Sequence, residues 1–298
     1  MSESTPSWVT ELSGEQWQHV RRLIDEALQR HGCTWTWDEP VGVIHASHPK
    51  RGKLQLGLGN LVTSLSRGSE VEWKRSVAHW ARVMFAPPEA EPDLSDLAAV
   101  RPNLRIRLWN EEHLPDLEQI VSVPVMPGVV AILCVDLPEM AMSVPRDKLE
   151  GWGVTAEEAL SMAVEPTLAE PATADTLRLP EGPAIYAMES DGLYVTTRAL
   201  VLQRWVESKF GALVAVPNRH VLLYHPITDG GAIAALYALH AMAEGAYKDG
   251  PGALVPSVYW WTPGRYMRID VIESDDQIHL RVPEELGRVL EEAAGPEV

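Results

Sequence analysis

The stretch that most constrains this fold is VVAILCVDL, Val129–Leu137, in the middle of the chain. It is rich in β-branched and aliphatic residues, and it is too short for an ordinary helix. It therefore reads as a strand, and its apolar character suits the interior of a sheet rather than a half-solvated edge. A second apolar run, GGAIAALYALHAMA at 230–243, follows a turn signal and reads as a helix. Both runs fall short of the roughly 20 residues needed to cross a bilayer as a helix.

The elements around these runs can be read from local signals. Ser13 and Gln16 form a capping-box pattern ahead of a stripe made by Trp17, Val20, Leu23, Ile24 and Leu28, and Gly32 ends that helix. CTWTW, VGVIHAS and KLQLGL read as short strands separated by turns. NLVTSLSRG and SEVEWKRSVAHWARVMF read as helices, the second capped by Ser69 with Glu72. Trp73 and Trp80 lie on its helical pattern, which points to core packing. The proline- and acid-rich APPEAEPDLSD is the natural linker or long surface loop. RPNLRIRLW reads as a strand with Leu104, Ile106 and Leu108 on one face and Arg105 and Arg107 on the other.

A lobe boundary is expected near Pro115 to Ser122, giving lobes at 1–115 and 116–298. In the second lobe Thr155 and Glu158 box the start of a helix, and TTRALVLQRWVESKF reads as another helix. ALVAV and HVLLYH are strands, and YMRIDVI with QIHLRV makes a hairpin through ESDD. Pro283 opens a final helix. Trp260 and Trp261 are adjacent in a strand, so only one of them is expected to face inward. The mixed order of elements predicts an α+β fold of two lobes, with mostly antiparallel sheets and packed helices.

Lys and Arg number 25 against 42 Asp and Glu, a formal charge of −17 in 298 residues. Such a field disfavours nucleic acid and anionic membranes and favours a basic protein partner. Cys33 and Cys134 are too few and too far apart for a disulfide framework or a metal knuckle. The opening MSESTPSWVTE has neither a basic start nor an apolar stretch, so no secretory leader is expected and the cytoplasm is the expected compartment. No cofactor motif stands out.

The second lobe resembles the YtpQ-like family, a bacterial domain of unknown function. The likeness rests on VAILCVDLPEMAMSVPRDKLEGWGVTAEEALSMAVE, with its Asp-Leu-Pro strand end at Asp136 and its Trp-Gly-Val step into a helix at Trp152. It also rests on LVAVPNRHVLLYH, which places Arg219 in the family's Pro-x-Arg turn. The first lobe contributes mainly LGNL at Leu58 to Leu61. The resemblance implies no established activity and transfers no catalytic residue. In many relatives the residue after the arginine is acidic, whereas here it is His220.

The chemistry-bearing residues fall into small groups. YHPITDGG brings His225 and Asp229 to a strand-to-helix turn, where Asp229 reads first as a cap for the helix amides. His220 and His225 face opposite sides of a strand, and His240 shares a helix with no second histidine at i+4, so a metal site is not expected. His45 and His48 also face opposite sides, beside the basic turn at Lys50, Arg51 and Lys53. Arg105 and Arg107 on one strand face suit a carboxylate.

Three readings stay open. The first is a non-catalytic acidic interaction or regulatory protein. The second is a hydrolase-type enzyme with an inter-lobe site near Arg219, His225 and Asp229, and the third is a carboxylate binder using Arg105 and Arg107.

Overall fold

A computed structural model describes residues 5–6, 8–85, 93–114, 117–137, 140–178, 182–274 and 277–295. Five segments noted in the sequence lie in part outside the described residues: 1–4 and 7 of the opening stretch, 86–92 of the acidic loop, 115–116 of the expected boundary, 138–139 at the Asp-Leu-Pro strand end, and 275–276 of the ESDD turn. The chain divides into two compact units, Met1–Pro92 and Asp93–Val298. The architecture is α+β, and every pairing between its strands is antiparallel among the described residues.

The first unit holds α1 (Gly14–Arg30), β1 (Thr34–Asp38), β2 (Val43–His48), β3 (Gly52–Gly57), α2 (Gly59–Arg67) and α3 (Glu70–Phe85). Both halves of the Ser13–Gln16 capping box form, and the expected stripe of α1 is buried. That stripe shares one core with Ile44, Ala46 and Leu56 of the three-stranded sheet and with Trp73 and Val77 of α3. Trp17 sits at its centre, edge-on to Trp8 and Trp37.

The second unit begins with α4 (Leu97–Val100) and β4 (Leu104–Asn110), then β5 (Ser122–Met126), β6 (Val129–Leu137), β7 (Met140–Ser143), α5 (Lys148–Trp152) and α6 (Ala156–Leu168). It continues with β8 (Thr173–Arg178), β9 (Ala184–Glu189), β10 (Ala212–Asn218), β11 (Val221–Pro226) and α7 (Ala232–Asp249). Then come β12 (Val258–Thr262), β13 (Arg265–Ser274), β14 (Gln277–Arg281) and α8 (Glu284–Ala294).

As its composition requires, β6 lies inside a sheet, with β4 on one side and β5 and β7 pairing with it as well. Its residues from Val129 to Val135 are all buried. The expected boundary near 115 falls inside the second unit, because β4 pairs with β6 along its whole length. That contact joins segments about 25 residues apart and has no local signature.

A seven-stranded sheet, ordered β14-β13-β12-β10-β11-β9-β8, separates two cores. On one face Val214, Leu222 and Trp261 meet Ile106 and Leu133 of the other sheet and Ala159 of α6. On the other face Leu213, Leu223 and Trp260 meet α7 and α8. Trp260 and Trp261 are therefore both buried, since helices cover the face that a half-exposed sheet would leave in water. The alanines of α7 let it lie close on the sheet, with Ala232, Ala235 and Ala243 fully buried.

One helical expectation changes. The stretch read as a helix at TTRALVLQRW is a 3-10 segment, Val195–Arg204, broken at Val201. Its Thr196 and Thr197 are buried, and Thr197 Oγ1 donates to the carbonyl of Ile106, so tertiary bonds replace helical regularity. In α7 the inward stripe runs through Leu236, Leu239 and His240, which leaves Ile233 (52 %) and Tyr237 (45 %) exposed.

Candidate functional site

The two arginines of β4 share a face but not a fate. Arg105 donates from Nε to Glu170 at 2.8 Å and from Nη1 to the carbonyls of Pro102 and Leu104 at 2.9 and 3.0 Å. Its guanidinium is already occupied. Arg107 lies over the ring of Trp109, two residues along the same strand face, with its Cζ 4.1 Å from the ring centroid. Its Nε is buried without a hydrogen-bond partner. Burial lowers the Arg107 pKa to about 10, helped by the nearby charge of Arg219 and opposed by Cys134 and Tyr194. At neutral pH it remains a cation.

Arg219 sits in the tight turn between β10 and β11. Its backbone N–H donates to Gly252 at 3.0 Å, and its side chain runs against that glycine so closely that a Cβ there would meet Cδ at 2.6 Å. Its Nε donates to His220 Nε2 at 2.8 Å, and His220 Nδ1 lies 2.9 Å from the carbonyl of Ser190. A carbonyl only accepts, so Nδ1 carries the ring proton and Nε2 is the acceptor that holds Arg219. The His220 pKa is lowered by burial first, with the charge of Arg219 acting in the same direction. The Arg219 pKa is also lowered by burial.

Near Arg107, Tyr194 donates its hydroxyl to Asp136 at 2.5 Å. Burial drives the Tyr194 pKa upward and pushes that of the Cys134 thiol up to about 12. Neither group ionises at neutral pH. Among the described residues, no carboxylate pairs with Arg107 or Arg219.

His225 and Asp229 come together elsewhere, lining one cavity of about 500 Å³ with Tyr186. His225 lies near the end of β11, whereas Arg219 precedes its first residue. Six residues of extended chain separate them by roughly 20 Å, so the three candidates do not form one constellation. Asp229 Oδ1 accepts from Gly231 N–H at 2.8 Å, and Gly231 itself is the N-cap of α7. The carboxylate thus ties the turn ahead of the helix rather than the amides inside it.

Two further histidines have local contacts, while His240 has a buried Nδ1 without a hydrogen-bond partner. His48 stacks on Phe85, while His45 faces outward near Asp38. His240 is buried in α7. Among the described residues, no group of three or more His, Cys, Asp or Glu is placed to hold a metal, and no hydroxyl or thiol is hydrogen-bonded to a histidine. No helix among them is long and apolar enough to cross a membrane.

Trp109 and Tyr186 were not singled out in the sequence. Trp109 had a signal, since it shares the strand parity of Arg107. Tyr186 had none, because its stacking on Tyr224 spans two strands. No family model, curated protein or solved structure matches the chain.

Proposed function

We propose that the chain is a non-catalytic binding protein that captures a small carboxylate or phosphate between Arg107 and Arg219. One observation carries this reading: two partly desolvated guanidiniums stand near one another with no carboxylate on either among the described residues. Burying a cation without a counter-charge is unfavourable. Unlike lysine, arginine cannot escape that cost by losing its proton. An anion that accepts from both forks relieves the desolvation and the mutual repulsion together. His220 supports the reading by fixing Arg219 without neutralising it. The proposed kinship with the YtpQ-like family places this same arginine in the family's turn but supplies no activity.

The test is calorimetric titration with succinate and, separately, with inorganic phosphate at low ionic strength. One saturable site is expected, weakened at least tenfold (roughly) in Arg107→Gln and in Arg219→Gln, given the strength of charged hydrogen bonds. The stronger of the two anions identifies the ligand class. Identical titrations for the wild type and both folded variants would sink the idea.

The charge of −17 favours a second, compatible role in contacts with a basic protein. A tagged chain in native lysate is then expected to retain a stoichiometric basic partner that high salt releases. Repeated recovery of the chain alone would remove that role.

A further inference from the structure

The seven-stranded sheet ends at β8, and that end is bare. All the residues of Thr173–Arg178 are exposed, and they pair on one side only, with β9, in an unbroken register. The outward amides and carbonyls of this strand have no partner among the described residues. The other sheet of this unit treats its end differently. There the Ile106 N–H of β4 donates to Thr167 Oγ1 at 2.9 Å, and the Ile106 carbonyl accepts from Thr197 Oγ1 at 2.8 Å. Open edges recruit a further strand unless lysine, proline or a bulge blunts them, and TADTLR contains none of these.

The side chains beside the edge define what fits it. Asp175 and Leu177 pair with Ala187 and Ile185, which share a core with α7, so all four lie on the helix-covered face of the sheet. Glu189, opposite Thr173, is exposed and is the diagonal neighbour of Asp175 on that face. Neither carboxylate has an ion-pair partner among the described residues. Leu177 is 39 % exposed. An added strand therefore meets a negative position and an apolar one, two residues apart on one face. The wider field has the same sign. Met1–Pro92 holds 11 acidic and 10 basic residues, whereas Asp93–Val298 holds 31 and 15, so −16 of the −17 belongs to the unit that carries β8.

A second copy of the chain fits poorly. In a two-fold antiparallel pairing, facing residues differ by an even number of positions. No such register sets Arg178 opposite Asp175, and the central ones set Asp175 against itself or against Leu177. Two chains of −17 also repel one another.

We propose that β8 receives an extended segment of a basic protein as a further strand, with a lysine or arginine reaching Asp175 and Glu189 and an apolar residue opposite Leu177. This rests on the charge-based reading of a basic partner and gives that partner an address. Backbone hydrogen bonds supply the attachment, and the carboxylates select the sign of the side chain.

The experiment adds short peptides to the whole chain at low ionic strength. They are acetyl-TKTVTKT-amide, its glutamate analogue acetyl-TETVTET-amide, and acetyl-TKPPTKT-amide, whose adjacent prolines block pairing along either edge. The readout is amide exchange and chemical shift along Thr173–Arg178. The lysine peptide should slow exchange of the outward amides saturably, the glutamate peptide should bind at least tenfold (roughly) more weakly, and the proline peptide should not protect them. Asp175→Lys, at an exposed position, should reverse the order of the lysine and glutamate peptides. Glu189→Gln should weaken the lysine peptide and stands in if the first variant does not fold.

The inference is overturned if the lysine peptide leaves β8 exchange unchanged, if the proline peptide protects it equally, or if the folded variants keep the wild-type preference. Protection that grows with protein concentration in the absence of peptide assigns the edge to a second copy and overturns it too. A native lysate separates this from the parent reading. A basic partner retained equally by wild type and Asp175→Lys sinks the β8 address alone, whereas no basic partner on either sinks the parent reading and leaves the edge to be decided by the peptides.

Discussion

Arg219 donates from Nε to Nε2 of His220 at 2.8 Å, so its guanidinium is positioned by a ring that accepts a hydrogen bond without contributing negative charge. An acidic residue in that place would hold the arginine equally well and cancel it. His220→Glu should therefore lower anion affinity at least tenfold (roughly), whereas His220→Gln, a neutral acceptor, should retain most of it. Titration of both variants with succinate checks this, and undiminished affinity in the glutamate variant would refute it.

The same histidine makes stability depend on pH. Burial holds its folded pKa below the ordinary 6.5, with Arg219 reinforcing the shift. Between those two values the unfolded chain binds more protons than the folded one, so stability rises with pH across that window. The contribution of His220 is fully present above 6.5 and is lost as the pH falls through the folded value. His31 in the first unit, lowered by burial and by His48, carries the same sign. Urea midpoints measured from neutral pH downward should fall, and His220→Gln should fall less steeply. Equal slopes in the two proteins would count against the shift.

Arg107→Met should separate stability from binding. The methionine keeps much of the packing over Trp109 and removes a cation whose Nε has no partner. Replacing a half-buried guanidinium that no carboxylate offsets with an apolar side chain is expected to stabilise by about 1 kcal/mol. Anion binding should disappear. A thermal melt and a calorimetric titration on the same sample read both effects, and a lower melting temperature would contradict the electrostatic argument.

Gly252→Ala should move Arg219 without touching its chemistry. The position has φ +69°, and a Cβ there would lie 2.6 Å from Arg219 Cδ and 3.0 Å from its Nε. The backbone conformation alone costs an alanine about 1–2 kcal/mol. Displacing the arginine should also weaken anion binding in protein that remains folded. Stability measured in urea and affinity measured by titration should therefore both drop. Unchanged affinity would show that the stem contact does not set the position of Arg219.

Much of the fold was legible because it is encoded locally. Two of the three caps read from the sequence, the boxes at Ser13–Gln16 and Thr155–Glu158, form as read, and β6 could only be an interior strand. What escaped depends on partners distant in the chain. Strand parity put Arg105 and Arg107 on one face, yet Glu170, 65 positions away, occupies the first and leaves the second. The TTRALVLQRW stretch lost its helix to Ile106, 91 positions from Thr197. No local pattern announces that Arg107 and Arg219 share an environment. His225 and Asp229 were recognisable as neighbours, but the contribution of Tyr186 to the lining of their cavity was not.

The strand β12 carries its own lesson about how pairing is specified. Its VYWW sequence offers no polar–apolar alternation, and both of its faces are buried. A slip of one residue would exchange the two indoles between cores at little hydrophobic cost. Two hydrogen bonds break that degeneracy: the Tyr259 hydroxyl to the carbonyl of Pro127 at 2.6 Å, and Trp260 Nε1 to the carbonyl of Phe210 at 2.9 Å. One reaches into each side of the sheet, so the central alignment of the second unit is keyed by two protons rather than by its greasy surface.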